Sequence, residues 1–443
     1  MAQTITSQIV TINETVVVAP TPSQLQQSGA FISVGGTTLA TGSYQFLSGS
    51  SALATILSSS GNFAELEDMN TDFFSNGTVQ GVYVLELGTQ STTDDAVYAL
   101  QTWIQDNPGV FYAYLVPKAW DSTKDSVGSV TITSGGSGYT TAPTVTFSAP
   151  ASGTTATGTS TIQNGEVISV TITNPGSGYT SAPTVTFSAP TSGTTATGTA
   201  NLSSALNVLA GNFSSPTALT YFFGTTTSAT ISNYSPNKSL NLMVESPTAP
   251  STEFSQAAQF YNWLLNNPGP ANKLAPMGYR YVYGVTPWAV LGNSSTINAI
   301  LSAYGNVIET GSQGGISTSC LFKGTMMDGS QAQWWYGIDW FNIQVNQALA
   351  AAIINGANSN PPLEYDQAGI NALLAVANQI AKDAVTYGCA LSAVVTAVPF
   401  STYTTENPND YKAGLYKGFT ATVVGQNGFL QLIFQLEALE FVA

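Results

Sequence analysis

IDWFNIQVNQALAAAII, residues 338–354, sets Ile338, Phe341, Val345, Leu349 and Ala352 at three- and four-residue spacing. That is the period of one apolar face on a helix, so a helix packed along this stripe is expected. Asn358-Ser-Asn-Pro-Pro362 breaks it, because proline offers no donor and clashes with the preceding turn. A second amphipathic helix then runs from Gln367 to about Tyr387, with Ile370, Leu373, Leu374, Ala377, Ile380, Ala381 and Ala384 on one side. Gly388 is its expected stop. Ala393 to Val398 reads as a strand, Asn407-Pro-Asn-Asp410 as a polar loop, and Gly418 to Val424 as another strand.

Outward from this region, both ends of the chain read as strands without a neighbour in sequence to pair with. Leu430, Leu432, Phe434, Leu436 and Ala438 share one parity, while Gln431, Gln435 and Glu437 share the other. This is the period-2 pattern of a half-buried strand. Near the start, Val10, Ile12, Val16 and Val18 share a parity interrupted by Glu14, and Pro20 and Pro22 end the run. An unpaired strand exposes its hydrogen-bonding edge and aggregates unless something covers it. Two readings stand: arms that stitch subunits together, or strands of the chain's own sheet.

Upstream, helices are expected over Ala64–Phe74 and Asp94–Asp106, the latter capped from Ser91, Thr92 or Thr93. Gly81–Leu87 and Phe111–Val116 read as strands between and after them. The same alternation resumes with strands at Ala218–Phe223 and Asn241–Val244, then helices at Glu253–Leu265 and Thr296–Tyr304. Strand and helix in alternation make a layered α/β domain.

A repeat interrupts that alternation. SVTITSGGSGYTTAPTVTFSAPASGTTATGT begins at Ser129 and returns from Ser169 with a period of 40 residues and four differences in thirty-one positions. Strand-forming Val-Thr-Ile-Thr and Thr-Val-Thr-Phe, a Gly-Ser-Gly-Tyr turn and almost no charge define a small all-β insertion over residues 127–202. Insertions of this kind survive in surface loops, where closure entropy grows slowly with length. Tyr139 and Tyr179 are either saccharide-stacking residues or packing residues beside the turns, and packing is the favoured reading.

Composition removes several chemistries. The chain has no histidine, so serine–histidine and cysteine–histidine catalysis and histidine metal sites are excluded. Cys320 and Cys389 are too few for a zinc cluster and read as buried thiols, a single bridge remaining open. A net charge of −15 with one arginine, Arg280, argues against nucleic-acid or anionic-membrane partners. No apolar stretch reaches bilayer length, and Met1–Ser7 lacks the features of a signal peptide, so a soluble product made in a cytoplasm is expected. No phosphate-binding glycine loop ending in Lys-Ser or Lys-Thr is present. No metal or cofactor is expected.

The order of elements around Trp340–Leu349, Tyr365–Leu374, Asn409-Asp-Tyr-Lys-Ala-Gly414 and Phe429–Phe441 resembles the contractile tail sheath proteins of bacteriophages. Thr55-Ile-Leu, Asn62-Phe-Ala-Glu-Leu and Asp72-Phe-Phe-Ser-Asn-Gly are similar to the segment before the first core strands in that family. Charged residues, at 7%, are scarcer than the resemblance would suggest. The resemblance implies a homo-oligomer of stacked hexameric rings around a tail tube protein. Terminal arms, here Thr4–Val18 and Phe429–Phe441, would add strands to the C-terminal domains of neighbours, through Val10, Ile12, Val16, Val18, Leu430, Leu432, Phe434 and Leu436. Baseplate and tail terminator proteins would be partners, and the sheath would shorten without nucleotide by near-rigid rotation of its subunits. The second helix and the loop near Asp410 would be tube-facing. The implied place is the virion, after assembly in the host bacterial cytoplasm.

The expected fold class is a multidomain α+β or α/β chain: a layered α/β sheath core with an inserted all-β repeat domain and extended terminal strand arms. Its expected divisions are an arm at 1–22, an outer core domain at 23–126 and 203–330, the insertion at 127–202, a C-terminal α/β domain at 331–428 and an arm at 429–443. Two other classes compete. Glu65, Glu67, Asp68 and Asp72, or Asp94 with Asp95, could supply the carboxylate pair of a glycoside hydrolase, although acids at helix starts are favoured by the dipole alone. The Gly/Thr-rich repeats and seven tryptophans, Trp334 and Trp335 among them, could belong to a host-surface, carbohydrate-binding adhesin or another virion decoration protein.

Overall fold

Residues 22–430 are described in the computed structural model, apart from 60–62, 122–124 and 235. The strands are β1 (Gly29–Ser33), β2 (Tyr44–Leu47), β3 (Val82–Glu86) and β4 (Ala113–Leu115), then β5 (Ser126–Ser134), β6 (Val145–Phe147), β7 (Thr157–Gln163), β8 (Glu166–Asn174), β9 (Val185–Phe187) and β10 (Thr197–Ser203). Downstream come β11 (Tyr221–Thr226), β12 (Leu240–Val244), β13 (Val307–Thr310), β14 (Ser319–Phe322), β15 (Ala390–Ala397) and β16 (Phe419–Gly425). The helices are α1 (Ala64–Ser75), α2 (Thr93–Asp106), α3 (Ala205–Asn212), α4 (Ser255–Leu264), α5 (Ser294–Ser302), α6 (Ala332–Ala357), α7 (Gln367–Thr386), α8 (Phe400–Glu406) and α9 (Pro408–Lys412).

Six strands form the central sheet in the order β12-β11-β4-β1-β3-β2, parallel except for β2 at one edge. Side chains alternate between its faces. Phe31, Val84, Leu115 and Phe223 join a core with Phe73 of α1 and Phe260, Trp263 and Leu264 of α4. Ala30, Ile32, Leu85, Tyr114 and Phe222 join a second core with Val97 and Leu100 of α2 and Leu206 and Leu209 of α3. Burial on both faces explains why β1, with all five residues buried, shows no polar alternation in the sequence. Helix α2 starts as expected: the Thr92 hydroxyl accepts the Asp95 N–H at 3.1 Å.

The insertion has a core of its own, built from Val127, Tyr139, Val145, Phe147, Ala156, Val167, Ile172, Tyr179, Phe187, Ala196 and Ala200. Its two repeats exchange their tails. Strand β5 of the first copy pairs with β10 from the second, and β7 of the first pairs with β8 of the second. Strands β6 and β9 pair antiparallel with Thr146 opposite Thr186, which are equivalent positions of the two copies. The Tyr139 hydroxyl accepts the Ala196 N–H at 2.9 Å, and the Tyr179 hydroxyl accepts the Ala156 N–H at 2.8 Å. These paired relations define a pseudo-two-fold axis. Gly138 and Gly178 sit at φ +80 and +78, where a Cβ would come within 1.8 Å of Ser192 O and 2.0 Å of Ser152 O. The Gly-Ser-Gly motif is therefore required by both backbone sign and close approach. Ser126 and Ser203 are register partners, so the insertion leaves and rejoins the α/β core at one point.

Helix α6 is longer than its apolar stripe predicts, starting at Ala332. Its deepest side also differs: Ala332, Tyr336, Asp339, Trp340 and Ile343 are buried with Phe341, while Ile338 is half-buried. The stripe through Val345 and Leu349 is only partly covered, by α7. Helix α7 buries Ile370, Ala377, Ala381 and Ala384. It ends at Gly388, φ +75, with Gly388 N bonded to Val385 O and Cys389 N to Ala384 O, the paired bonds of a Schellman stop. The expected polar loop at 407–410 is instead the junction of two short helices, α8 and α9. Pro399 precedes the first and Pro408 opens the second, where a missing N–H costs nothing.

Candidate assembly surface

Helix α6 is pinned to the central sheet by a buried carboxylate. The Tyr112 hydroxyl beside β4 and the Tyr221 hydroxyl of β11 donate to Asp339 Oδ2 at 2.8 and 2.6 Å. Burial first, and the Asp339 charge second, hold both phenols far above their usual pKa. Tyr336 donates to Asn266 O at 2.5 Å and Gln26 Nε2 donates to Tyr336 O at 2.9 Å. The Trp263 ring packs edge-on against Tyr336 and stacks on Tyr112. Lys238 Nζ lies 4.5 Å from the Trp335 ring and donates to Ala218 O at 2.7 Å. Buried polar groups paired in this way specify one docking of α6.

Beyond that anchor, β15 and β16 form a two-stranded antiparallel sheet, with Val394 opposite Thr422 and Val395 opposite Ala421. Its inner face, with Val395 and Ala393, rests on α7, and Phe419 and Val423 pack against the same core. Leu391, Val394 and Val424 are 63%, 55% and 47% exposed. The two edges differ. Asn378 of α7 donates to Val395 O at 3.0 Å and accepts Val395 N–H at 3.1 Å, capping the β15 backbone near its C-terminal end. The outer edge of β16 has no strand paired with it among the described residues. Below it, Asp410 accepts from Tyr403 at 2.8 Å and pairs with Lys417 at 3.3 Å. The Tyr403 hydrogen bond lowers the Asp410 pKa below the ordinary carboxylate value.

From the end of β16 to Leu430 the described chain leads away from that edge. Gly428 exchanges two hydrogen bonds with the Gln331 side chain, at 2.8 and 3.0 Å. Leu430 then lies against Gly278, and its carbonyl accepts from the Tyr279 hydroxyl. Among the arm residues singled out from sequence, Leu430 is thus placed on its own chain. Val10, Ile12, Val16, Val18, Leu432, Phe434 and Leu436 lie outside the described residues. The edge of β16 and the anchor at Asp339 carried no sequence signal, because both depend on elements brought together from distant segments.

Of the carboxylates considered for hydrolysis, Glu65, Asp72 and Asp94 have backbone or side-chain partners. Glu65 Oε1 accepts the Lys118 N–H at 2.6 Å, Asp72 accepts the Phe254 N–H, and Asp94 accepts the Ser126 hydroxyl at 3.1 Å. Desolvation raises Asp72 and Asp94 to about 6 each. Lys118 pairs with Glu245 at 2.6 Å beside a cleft of about 360 Å³ lined by Asp121, Thr226 and Trp288. Tyr139 and Tyr179 are 6% and 4% exposed, so neither ring presents a face to a saccharide. Cys320 and Cys389 are free and buried, and burial pushes the Cys389 thiol up to about 12. Among the described residues no helix is long and apolar enough to cross a membrane.

A chain of the anti-feeding prophage baseplate shares this fold: 94% of the present chain and 93% of that one superpose with a TM-score of 0.55 at 10% identity. More loosely, the chain is similar to the sheath tail protein of Listeria innocua, with 12% identity, 90% and 94% coverage and a TM-score of 0.38. It is similar also to the sheath tail protein of Desulfitobacterium hafniense, with 9% identity, 85% and 91% coverage and a TM-score of 0.34. No protein-family model matches the sequence, and no curated protein matches it.

Proposed function

We propose that the protein is a structural subunit of a contractile phage tail sheath, not an enzyme. It would polymerise as stacked hexameric rings around a tail tube and contract to drive the tube through the host envelope. The observation that carries this reading is the likeness in fold to a chain of a prophage baseplate along nearly the whole length of both chains. The open edge of β16 supports the mode of assembly, since a two-stranded sheet is marginal alone and gains from a third strand. The strands offered to it are the terminal arms of neighbouring subunits, 1–22 and 429–443. Burying the five apolar side chains of the C-terminal arm contributes roughly 7–15 kcal/mol gross, before ordering entropy is subtracted. That is enough to keep neighbours joined while their cores rotate.

In this reading residues 331–428 form the joining domain, 23–126 with 203–330 the outer core, and 127–202 a projecting decoration. The partners are further copies of the chain, a tube protein, and baseplate and terminator proteins, and the place of action is the virion. Neither nucleic acid, membrane nor cofactor takes part. Negative-stain electron microscopy of the full chain beside a chain ending at Asn427 tests it. Long hollow tubes from the first, absent from the second while circular dichroism is unchanged, are expected. Discrete small particles from both would overturn the reading.

A further inference from the structure

The turn Pro22–Gln27, the loop 266–272 after α4, and helices α6 and α7 enclose a cleft of about 440 Å³. Gly269 and Asn272 exchange backbone hydrogen bonds at 2.9 and 3.1 Å, which fixes the loop wall. Carboxamides line the cleft, Gln26, Asn267 and Gln344 among them, together with the rings of Trp340 and Tyr387 and one carboxylate, Asp383. Trp340 and Tyr387 meet edge-on with centroids 5.6 Å apart. Among the described residues, no lysine or arginine lines it.

Two of these side chains are more than nine-tenths buried, yet each keeps one polar atom open. Gln26 is 6% exposed and its Nε2 donates to Tyr336 O at 2.9 Å. A backbone carbonyl only accepts, so the amide nitrogen faces Tyr336 and Oε1 faces away from it. Trp340 is 7% exposed. Neither Gln26 Oε1 nor the Trp340 indole N–H has a partner among the described residues, and neither atom is sealed from solvent as Trp263 Nε1 is. One acceptor and one donor on immobilised side chains match the N–H and C=O of a peptide group, the kind of sparse, fixed polar pair that orients a ligand. In the same cleft Asp383 accepts from Gln379 at 3.0 Å and has no cation within 4 Å among the described residues.

We infer that this cleft seats an extended basic segment of a different protein. The backbone of that segment pairs with Gln26 Oε1 and the Trp340 N–H, and its lysine or arginine pairs with Asp383. Charge selects the partner. The chain carries −15, and neither 1–21 nor 431–443 contains a lysine or arginine, so its own ends lack the group that Asp383 takes. Among the described cations, Lys118, Lys238, Arg280, Lys323 and Lys417 are bonded within the chain. Lys382 and Lys412 sit on helices, and Lys273 adjoins the cleft's own Asn272. Trp340 shows too little of its ring to stack on a saccharide. The inference goes beyond the sheath reading and does not require it.

The test uses the full chain, dilute and unassembled, and an immobilised library of acetylated octapeptide amides. Their central residue is Lys, Arg, Gln or Glu, and the other positions vary among uncharged residues. Selective retention of the chain by Lys and Arg members is expected. Fluorescence anisotropy with the best of them, at physiological salt to screen general attraction, is expected to show binding weakened roughly fivefold in Asp383→Asn and in Trp340→Phe, about the worth of one hydrogen bond each. Glu67→Gln, an exposed carboxylate that does not line the cleft, is expected to change nothing. No peptide binding, equal retention by Lys and Glu members, or an affinity lowered as much by Glu67→Gln as by Asp383→Asn would overturn the inference. Circular dichroism checks that the variants fold, and Asp383→Asn, half-buried and of the same shape, decides alone if Trp340→Phe does not. Binding is read on single subunits, so failure of tube formation and failure of peptide recognition are separate results.

Discussion

Replacing Asp339 with alanine removes the acceptor shared by two phenols that are fully buried, Tyr112 and Tyr221. Tyr221 then has no acceptor for its hydroxyl, and Tyr112 keeps only the 3.4 Å donation from Gln26 Nε2; each buried donor left without an acceptor costs about 1–3 kcal/mol in desolvation. For the two donors together the expected destabilisation is about 2–6 kcal/mol. Removing the phenol hydroxyls as well should restore part of that stability. In the Asp339→Ala, Tyr112→Phe, Tyr221→Phe chain no phenol is stranded, so about half of the loss is expected to return. Guanidinium unfolding followed by tryptophan fluorescence reads this directly, since Trp263 stacks on Tyr112 with ring centroids 5.7 Å apart. A loss below about 1 kcal/mol for Asp339→Ala, or a triple variant no more stable than the single one, would refute the argument that this carboxylate pins α6 to the sheet.

Gly138→Ala places a Cβ 1.8 Å from Ser192 O at φ +80, so limited proteolysis is expected to cut within 126–203 while the α/β core stays intact. Asp72, raised to about 6 chiefly by desolvation against an ordinary 3.8, binds its proton more tightly in the fold than in the unfolded chain. Its contribution is therefore fully present below pH 3.8 and lost as pH rises through about 6. Asp72→Asn, which mimics the protonated form, is expected to be more stable than the natural chain at pH 8 by about 1 kcal/mol after solvent screening, and thermal unfolding should show that difference vanishing near pH 4. Val394→Lys, on the exposed face of β15, is expected to change folding stability by under about 0.5 kcal/mol yet to block tube formation in electron micrographs. Native-like tubes from that variant would exclude this face from the contact.

Elements that carry their own periodicity were legible from the residues alone. The stripe in 338–354 marked α6, the apolar side from Ile370 to Ala384 marked α7, and Gly388 marked its stop, since helix geometry and a left-handed residue are local matters. The 40-residue period likewise marked the insertion as all-β. Strand β1 was not legible, because a strand buried on both faces has no alternation to show, and its five residues become a central strand only between β3 and β4. Tertiary structure also decided which side of α6 lies deepest. Ile338 belongs to the apolar stripe, yet Asp339 takes the buried place because two tyrosines from distant strands wait there with hydroxyls to satisfy. The exchange of tails between the repeats is of the same kind. Both copies have nearly the same sequence, so the repeats themselves do not say whether a tail pairs with its own head or the other; the one local signal is Asn164-Gly165 between them, a two-residue hairpin turn. Chain connectivity through the turn at Asn164-Gly165, and the close approach permitted by Gly138 and Gly178, settle it in three dimensions.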